Sequence, residues 1–182
     1  MLAVTLGDAN GVGPEILVRA FAEEAINDEF VVYGDRTVLE YAVQRLGLSG
    51  SLVNAIPIAD QRLLKRSDLT PGQPDRTVGA AAADYVIAAT RAALAGKVDG
   101  IVTLPVNKEA TRASRPEFSG HTELIAELCG NPPVTMMLAS DQLIVTHVST
   151  HVSLKQAVEI ATTDRILDVI RLTHDAVCRL RP

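Results

Sequence analysis

The chain has 182 residues, of which 47% are hydrophobic and 3% aromatic, and its net charge is −5. This content can supply a globular core, while an acidic balance without a clustered basic face argues against a nucleic-acid-binding surface. Cys129 and Cys178 follow neither a metal-ligand spacing nor a disulfide framework, and the absence of a signal peptide or membrane-length apolar segment predicts a cytoplasmic protein without membrane contact.

Apolar runs that alternate with helical patterns predict an α/β fold with a parallel sheet. The first unit consists of a strand at Leu2–Leu6, a glycine loop at Gly7–Gly13 and a helix from Glu15 to Glu24. Pro14 suits the first turn of this helix, where an N–H donor is not needed. The loop could present backbone N–H groups to an anion, but its glycine spacing matches neither the dinucleotide nor the Walker pattern. A ligand role and a purely conformational role for the glycines both stay open.

A second strand is predicted at Phe30–Gly34, and a helix runs from Asp35 to Leu46 with Gly47 as its C-cap. The apolar run at Ser51–Ile56 predicts a further strand. The segment Ala59–Arg76 is irregular and contains several turn signals, which is typical of a mobile or site-covering loop. Its composition does not identify a ligand.

A long Ala-rich helix is predicted at Val78–Ala95, closed by Gly96, and it leads to a buried strand at Asp99–Pro105. This strand delivers Lys108 to the carboxyl end of the sheet, where open α/β sheets bind ligands. Lys108 could meet a phosphate or carboxylate there, or it could begin the next helix and face water. With only four lysines in the chain, we keep both interpretations.

His121 lies between Gly120 and a short helix predicted at Glu123–Leu128. The hydroxyl of Thr122 can cap this helix, a role that needs no ligand. An imidazole and a hydroxyl beside the free N–H groups of a helix N-terminus also form a cradle suited to a phosphorylated hydroxy acid. Structural and substrate-binding roles therefore stay open for both side chains.

Two strands are predicted at Val134–Ala139 and Leu143–Thr150, joined as a hairpin by a turn at Ser140–Gln142. His147 and His151 share one face of the second strand, but extended chain separates their Cα atoms by about 13 Å, too far for one ion to join them. We expect His147 to be a surface residue of the strand and His151, at the strand end, to be the better metal ligand. One histidine cannot hold a metal, so further ligands would come from elsewhere or from another subunit.

Two helices are predicted after the hairpin. The first begins at Ser153 or Leu154, and the second is a long amphipathic helix at Asp164–Leu180. The apolar stripe of the second helix consists of Ile166, Leu167, Ile170 and Val177. His174 lies in the middle of that helix and is expected to pack or to face water.

Five motifs occur in the order and spacing typical of the 4-hydroxythreonine-4-phosphate dehydrogenase family. They are Gly7–Glu15, Thr103–Lys108, Gly120–Glu123, Met136–Leu138 and Thr150–His151. The chain therefore resembles this family over nearly its whole length. The resemblance implies an incomplete three-layer α/β/α fold of the isocitrate/isopropylmalate dehydrogenase type. Residues 1–105 would belong to the first domain, and residues 106–182 would begin the second and carry a dimerisation hairpin.

The same resemblance implies an activity in pyridoxine biosynthesis. Family members oxidise a phosphorylated hydroxy acid with NAD or NADP and a divalent metal (zinc, magnesium, manganese or cobalt), and the product then loses carbon dioxide. In the family pattern the Gly-His-Thr residues contact substrate, which maps onto His121 and Thr122, and the histidine after the hairpin binds metal, which maps onto His151. Lys108 is a substrate-binding candidate from its position alone. A homodimer with shared active sites is expected, while catalytic and cofactor-binding residues are not assigned.

Two departures from the family pattern bear on function. The glycine loop reads Asp8-Ala9-Asn10 where the family usually has Asp-Pro-Ala, which would suit a subfamily acting on a related acid such as 4-phosphoerythronate or 4-phosphothreonate. Family members are also far longer, so we expect this chain to be an N-terminal half with one metal ligand of three and no activity alone. A non-catalytic phosphate-binding fragment and a dimerising fragment are alternative hypotheses.

Overall fold

The computed structural model describes residues 1–26 and 29–180. The chain forms two compact units, Met1–Gly130 and Asn131–Pro182. No helix within the described residues is long and apolar enough to cross a lipid bilayer. The boundary predicted at residue 105 concerns the domains of the longer family proteins, and it stays a prediction.

The first unit alternates strands and helices around one parallel sheet. Its strands are β1 (Leu2–Thr5), β2 (Phe30–Gly34), β3 (Ile58–Asp60) and β4 (Gly100–Thr103). Its helices are α1 (Gly13–Ala22), α2 (Arg36–Arg45), α3 (Ser51–Ala55), α4 (Arg76–Leu94), α5 (Lys108–Arg112) and α6 (His121–Leu128), with a 3-10 turn at Arg66–Asp68. The strand order is β3-β2-β1-β4, with every pair parallel. The predicted α/β class is confirmed.

Helices cover both faces of this sheet. Ala3 of β1 packs with Ala89 and Ala92 near the end of α4. The next residue, Val4, belongs instead to the core cluster that contains Val18 of α1. Because successive side chains of a strand point to opposite faces, the C-terminal half of α4 covers one face while α1 covers the other. This arrangement matches the predicted three layers.

Gly79 allows α4 to approach α5 closely. A Cβ atom at Gly79 would overlap the carbonyl group of Ala110 and would lie 2.6 Å from the amide nitrogen of Thr111. Glycine inside a helix costs about 0.5–1 kcal/mol relative to alanine, so this close approach gives a physical reason for glycine here. The contact seats α5, and α5 begins at Lys108.

The predicted strand at Ser51–Ile56 is wrong. Residues 51–55 form the short helix α3, and Ile56 then takes an extended conformation with ψ of 117°. Pro57 explains this ending, because the residue before a proline is disfavoured in the helical region. The strand follows the proline as β3, which begins at Ile58 and extends into the start of the predicted irregular segment Ala59–Arg76.

The second unit contains a hairpin and two helices. These are β5 (Met137–Ala139), β6 (Ile144–Thr146), α7 (Leu154–Ile160) and α8 (Thr163–Leu180). The strands pair antiparallel, so the predicted hairpin is confirmed, although both strands are shorter than predicted. Arg165 of α8 donates from Nε to the carbonyl oxygen of Val148 and from Nη2 to that of Val134, both at 2.9 Å. The predicted stripe of α8 is largely exposed, with Ile170 57% accessible, whereas Val169 is buried.

Candidate active site

The loops that follow β1 and β4 lie side by side, because these strands are neighbours in the sheet. The backbone N–H of Asp8 donates to the carbonyl oxygen of Pro105 at 2.9 Å. Gly7 has φ of +70°, and a Cβ atom there would overlap the same carbonyl oxygen. This glycine is therefore required both by its backbone conformation and by the close approach of the second loop.

The buried carboxyl group of Asp8 connects these two loops. Its Oδ1 accepts the backbone N–H of Asn10 at 2.8 Å. Burial raises the pKa of the Asp8 carboxyl, hydrogen bonds from the backbone of Asn10 and Asn107 oppose this shift, and the nearby charge of Asp75 adds to it. The glycine loop thus holds the turn that leads into α5.

Lys108 is the first residue of α5. Asn107 caps this helix, since its side-chain oxygen accepts the N–H of Ala110 at 3.0 Å. The Lys108 side chain is exposed, as the water-facing interpretation expects. Its ammonium nevertheless lies beside the start of α6, because Nζ is 3.8 Å from the position that a Cβ atom on Gly120 would occupy. The structure therefore brings Lys108 to the segment that contains His121.

The helix α6 begins at His121, two residues earlier than predicted. Gly120 is its N-cap, with an extended backbone and no side-chain cap hydrogen bond. The prediction that Thr122 caps this helix is wrong, because the N-cap is Gly120 and Thr122 is already the second residue of the helix. Its side chain is exposed.

The imidazole of His121 is half-buried and incompletely hydrogen-bonded. Its Nε2 is buried and has no hydrogen-bond partner among the described residues. Burial lowers the pKa of His121, the Lys108 cation lowers it further, and the carboxylate of Glu123 partly opposes them. The lowered pKa favours the neutral ring at pH 7, and Nε2 is the ring nitrogen that has no hydrogen-bond partner among the described residues.

These groups together form a site suited to an anion. Lys108 supplies a positive charge, His121 supplies a neutral ring nitrogen, and the first turn of α6 supplies backbone N–H groups at the positive end of the helix. The carboxylate of Glu123 adjoins Gly120, so its negative charge offsets part of the positive charge that Lys108 supplies. The arrangement can hold a phosphate or carboxylate and orient it by hydrogen bonds.

His151 lies in the second unit, after the hairpin. It is exposed and has φ of +58°, in the left-handed region. Across residues 1–26 and 29–180, no group of three or more His, Cys, Asp or Glu side chains is placed to hold a metal ion. A single imidazole falls short of the three or four ligands of a zinc site, so the described residues do not fit a complete metal centre.

The other two histidines differ in their surroundings. His147 is half-buried and its Nδ1 lacks a partner within the part of the chain that the structure describes, so the prediction of a surface residue is wrong. Its backbone N–H still extends the hairpin by donating to Met136 at 3.1 Å. His174 is exposed beside Asp175, at 3.4 Å, as expected for a water-facing residue of α8.

Sequence reasoning missed the buried side chains of Asp8 and Asn10. Asn10 bonds to residues 60 and 63 positions away in the chain, to Thr70 and Gln73. Hydrophobic periodicity carries no signal for such contacts. The one available signal was an Asp and an Asn in a glycine loop directly after a buried strand.

Comparison with known proteins identifies one matching family and similar bacterial dehydrogenases. The family described as pyridoxal phosphate biosynthetic protein PdxA matches residues 26–181. A D-threonate 4-phosphate dehydrogenase of Salmonella typhimurium is 34% identical over 98% of this chain and 59% of its own length. A 4-hydroxythreonine-4-phosphate dehydrogenase of Beijerinckia indica is 34% identical over 96% of this chain and 55% of its own length.

Solved structures give the same result. The crystal structure of 4-hydroxythreonine-4-phosphate dehydrogenase from Klebsiella pneumoniae superposes with a TM-score of 0.89 at 32% identity, covering all of this chain and 59% of that one. The chain thus spans little more than half the length of the relatives it matches. Both the α/β fold and the resemblance noted in the sequence are confirmed, and the chain belongs to the PdxA family of pyridoxal phosphate biosynthetic proteins.

Proposed function

We propose that this chain forms part of a dehydrogenase that oxidises a phosphorylated hydroxy acid with NAD or NADP, assisted by a divalent metal and followed by loss of carbon dioxide. The observation that carries the proposal is the buried Nε2 of His121, which has no partner among residues 1–26 and 29–180 and lies in the first turn of α6 beside Lys108. Relatives named for D-threonate 4-phosphate and 4-hydroxythreonine 4-phosphate supply the substrate class.

In this proposal, Lys108 neutralises part of the charge of the substrate and His121 fixes its orientation. A neutral imidazole can donate or accept a hydrogen bond, so it binds an oxygen atom without adding a second cation. Thr122 lies in the first turn of α6 and offers its hydroxyl and backbone N–H to the same ligand. The pairing of one charged and one neutral donor suits a dianionic phosphate.

The metal site of the proposal combines one described residue with groups outside this chain. His151 would contribute one ligand to the metal, with the others supplied by the rest of the longer protein or by a partner subunit. Zinc, magnesium, manganese and cobalt are all candidates, and when bound such an ion stabilises negative charge on a substrate oxygen. A cytoplasmic homodimer with shared sites, built from the two predicted domains, completes the proposal.

The test uses the chain extended to the full length of its relatives. Formation of NADH or NADPH is followed by absorbance over a range of concentrations of D-threonate 4-phosphate and of 4-hydroxythreonine 4-phosphate. We expect turnover with at least one of them, and at least a tenfold loss of kcat/KM in His121→Ala, since about 1.4 kcal/mol of binding is a factor of ten. His174→Ala is the matched control and should retain activity. Lack of turnover with both compounds would contradict the proposal.

A second candidate is a phosphate-binding fragment without catalysis. It is favoured by the position of Lys108 and His121 in one unit, in a chain whose described residues form no metal centre. Calorimetry of the chain extended to the full length of its relatives with D-threonate 4-phosphate, with and without magnesium, separates the two candidates. Binding that is unchanged by the metal and by His151→Ala would favour the fragment, whereas metal-dependent binding would favour the enzyme.

A further inference from the structure

Asn10 joins the glycine loop to the segment Thr70–Gln73. Its Oδ1 accepts the backbone N–H of Thr70 at 2.8 Å, and its Nδ2 donates to the carbonyl oxygen of Gln73 at 3.1 Å and to the Thr70 hydroxyl at 3.4 Å. The backbone oxygen of Asn10 also accepts the N–H of Gly72 at 2.8 Å. Asn10 is only 5% exposed, so water has little access to replace these bonds.

The backbone of Asn10 is itself held by the site already described. Asp8 accepts the backbone N–H of Asn10 and also receives the backbone N–H of Asn107. A continuous set of hydrogen bonds therefore runs from the turn before Lys108, through Asp8 and Asn10, to the segment Thr70–Gln73. An alanine at position 10 could make none of these side-chain bonds.

The segment Thr70–Gln73 forms one wall of a cavity of about 310 Å³ at the carboxyl edge of the sheet. The lining includes Asp8, Asn10, Gly72, Gln73, Val106 and Asn107. The cavity is connected to the proposed anion site through Asn107, which lines the cavity and directly precedes Lys108 in the chain. A ligand held by Lys108 that extends past Asn107 would meet the wall that Asn10 holds in place.

We propose that Asn10 is a positioning residue that holds Thr70–Gln73 across the edge of the sheet and thereby sets which phosphorylated acid the adjoining cavity accepts. This inference rests on the proposed function and adds a specificity determinant to it. With alanine at position 10, the backbone bond to Gly72 is retained but the side-chain bonds to Thr70 and Gln73 are lost. The wall then moves, and discrimination between ligands that differ beyond the phosphate falls.

The experiment compares the wild-type chain with Asn10→Ala and Asn10→Asp, with Asn54→Ala as the control. Asn54 is an exposed asparagine of α3 whose side chain accepts one long hydrogen bond, at 3.5 Å. Hydrogen exchange is measured first without ligand. Asn10→Ala should speed exchange of the Thr70 amide at least tenfold while leaving β4 unchanged. Asn10→Asp, which keeps the acceptor for Thr70 but not the donor to Gln73, should restore part of the protection.

Calorimetry of the same variants in the chain extended to the full length of its relatives then gives the ratio of affinities for D-threonate 4-phosphate and 4-hydroxythreonine 4-phosphate. We expect Asn10→Ala to change this ratio at least fivefold, Asn10→Asp to change it less, and Asn54→Ala to leave it at the wild-type value. Wild-type exchange of Thr70 in Asn10→Ala would overturn the inference. Faster exchange with an unchanged affinity ratio would also overturn it, because Asn10 would then be structural only. If the extended wild-type protein binds neither compound, the proposed function fails and the specificity role fails with it. The exchange data still decide whether Asn10 holds Thr70–Gln73 in place.

Discussion

Substitution of Gly79 by alanine sets two effects of opposite sign against each other. Alanine stabilises the interior of a helix by about 0.5–1 kcal/mol relative to glycine. Its Cβ atom would, however, overlap the carbonyl group of Ala110 and approach the amide nitrogen of Thr111 to 2.6 Å. Overpacking costs about 1–3 kcal/mol, and here the clash is with backbone that cannot rotate away. We therefore expect Gly79→Ala to lower the free energy of unfolding by about 1–2 kcal/mol.

Urea denaturation followed by circular dichroism measures this difference, with Gly50→Ala as the control. A Cβ atom at Gly50 meets nothing within 4 Å, and its φ of −58° is accessible to alanine. The control should therefore stay within about 0.5 kcal/mol of wild type. Because the clash displaces α5, Gly79→Ala should also alter the amide signals of Lys108 and its neighbours. A variant as stable as wild type or more stable would refute the reasoning, since helix propensity would then exceed the steric cost.

Three further substitutions test other contacts. Asp35→Ala removes a buried carboxylate that accepts two backbone N–H groups, the shorter bond being 2.6 Å, and we expect a loss of about 2–4 kcal/mol in the free energy of unfolding by urea denaturation. An NMR titration should find the pKa of His121 below its ordinary value and raised by Lys108→Ala. In the wild-type chain the lowered pKa means that folded His121 binds fewer protons than unfolded His121. Its contribution to stability should therefore fall as pH is lowered from 6.5 through the pKa of the folded state. Arg165→Ala loses two hydrogen bonds to carbonyl groups near the surface, at a cost of about 1–2 kcal/mol, and should lower the thermal midpoint of the second unit. For each of the three substitutions, a measured value equal to that of the wild type would contradict the contact it tests.

The sequence predicts elements well where local pattern and tertiary environment agree. The strand β2 has the predicted bounds, Phe30–Gly34, and the helix α4, predicted at Val78–Ala95, runs from Arg76 to Leu94. The helix α3 was missed because five residues are too few for a helical period, and only Pro57 marks where the strand can begin. For short segments, tertiary contacts decide the conformation.

The candidate site was predictable in its residues but not in its geometry. The positions of Lys108 and His121 after β4 indicated a ligand site, and the structure brings these two residues together. The start of α6 was misplaced because a Thr near a helix start resembles a cap, whereas the backbone of Gly120 occupies that position. The bonds between Asn10 and Thr70–Gln73 depend on chain segments far apart in sequence, so a single sequence carries no pattern for them.

The central claim is that Lys108 and His121 hold a phosphorylated acid at the start of α6. An NMR titration of the chain with D-threonate 4-phosphate, observing the ring signals of His121, tests it most directly. We predict saturable shifts of these signals and a rise in the pKa of His121, because a bound dianion favours the imidazolium, and we predict weaker binding in Lys108→Ala. Ring signals and a pKa of His121 that stay unchanged at saturating ligand would contradict the account.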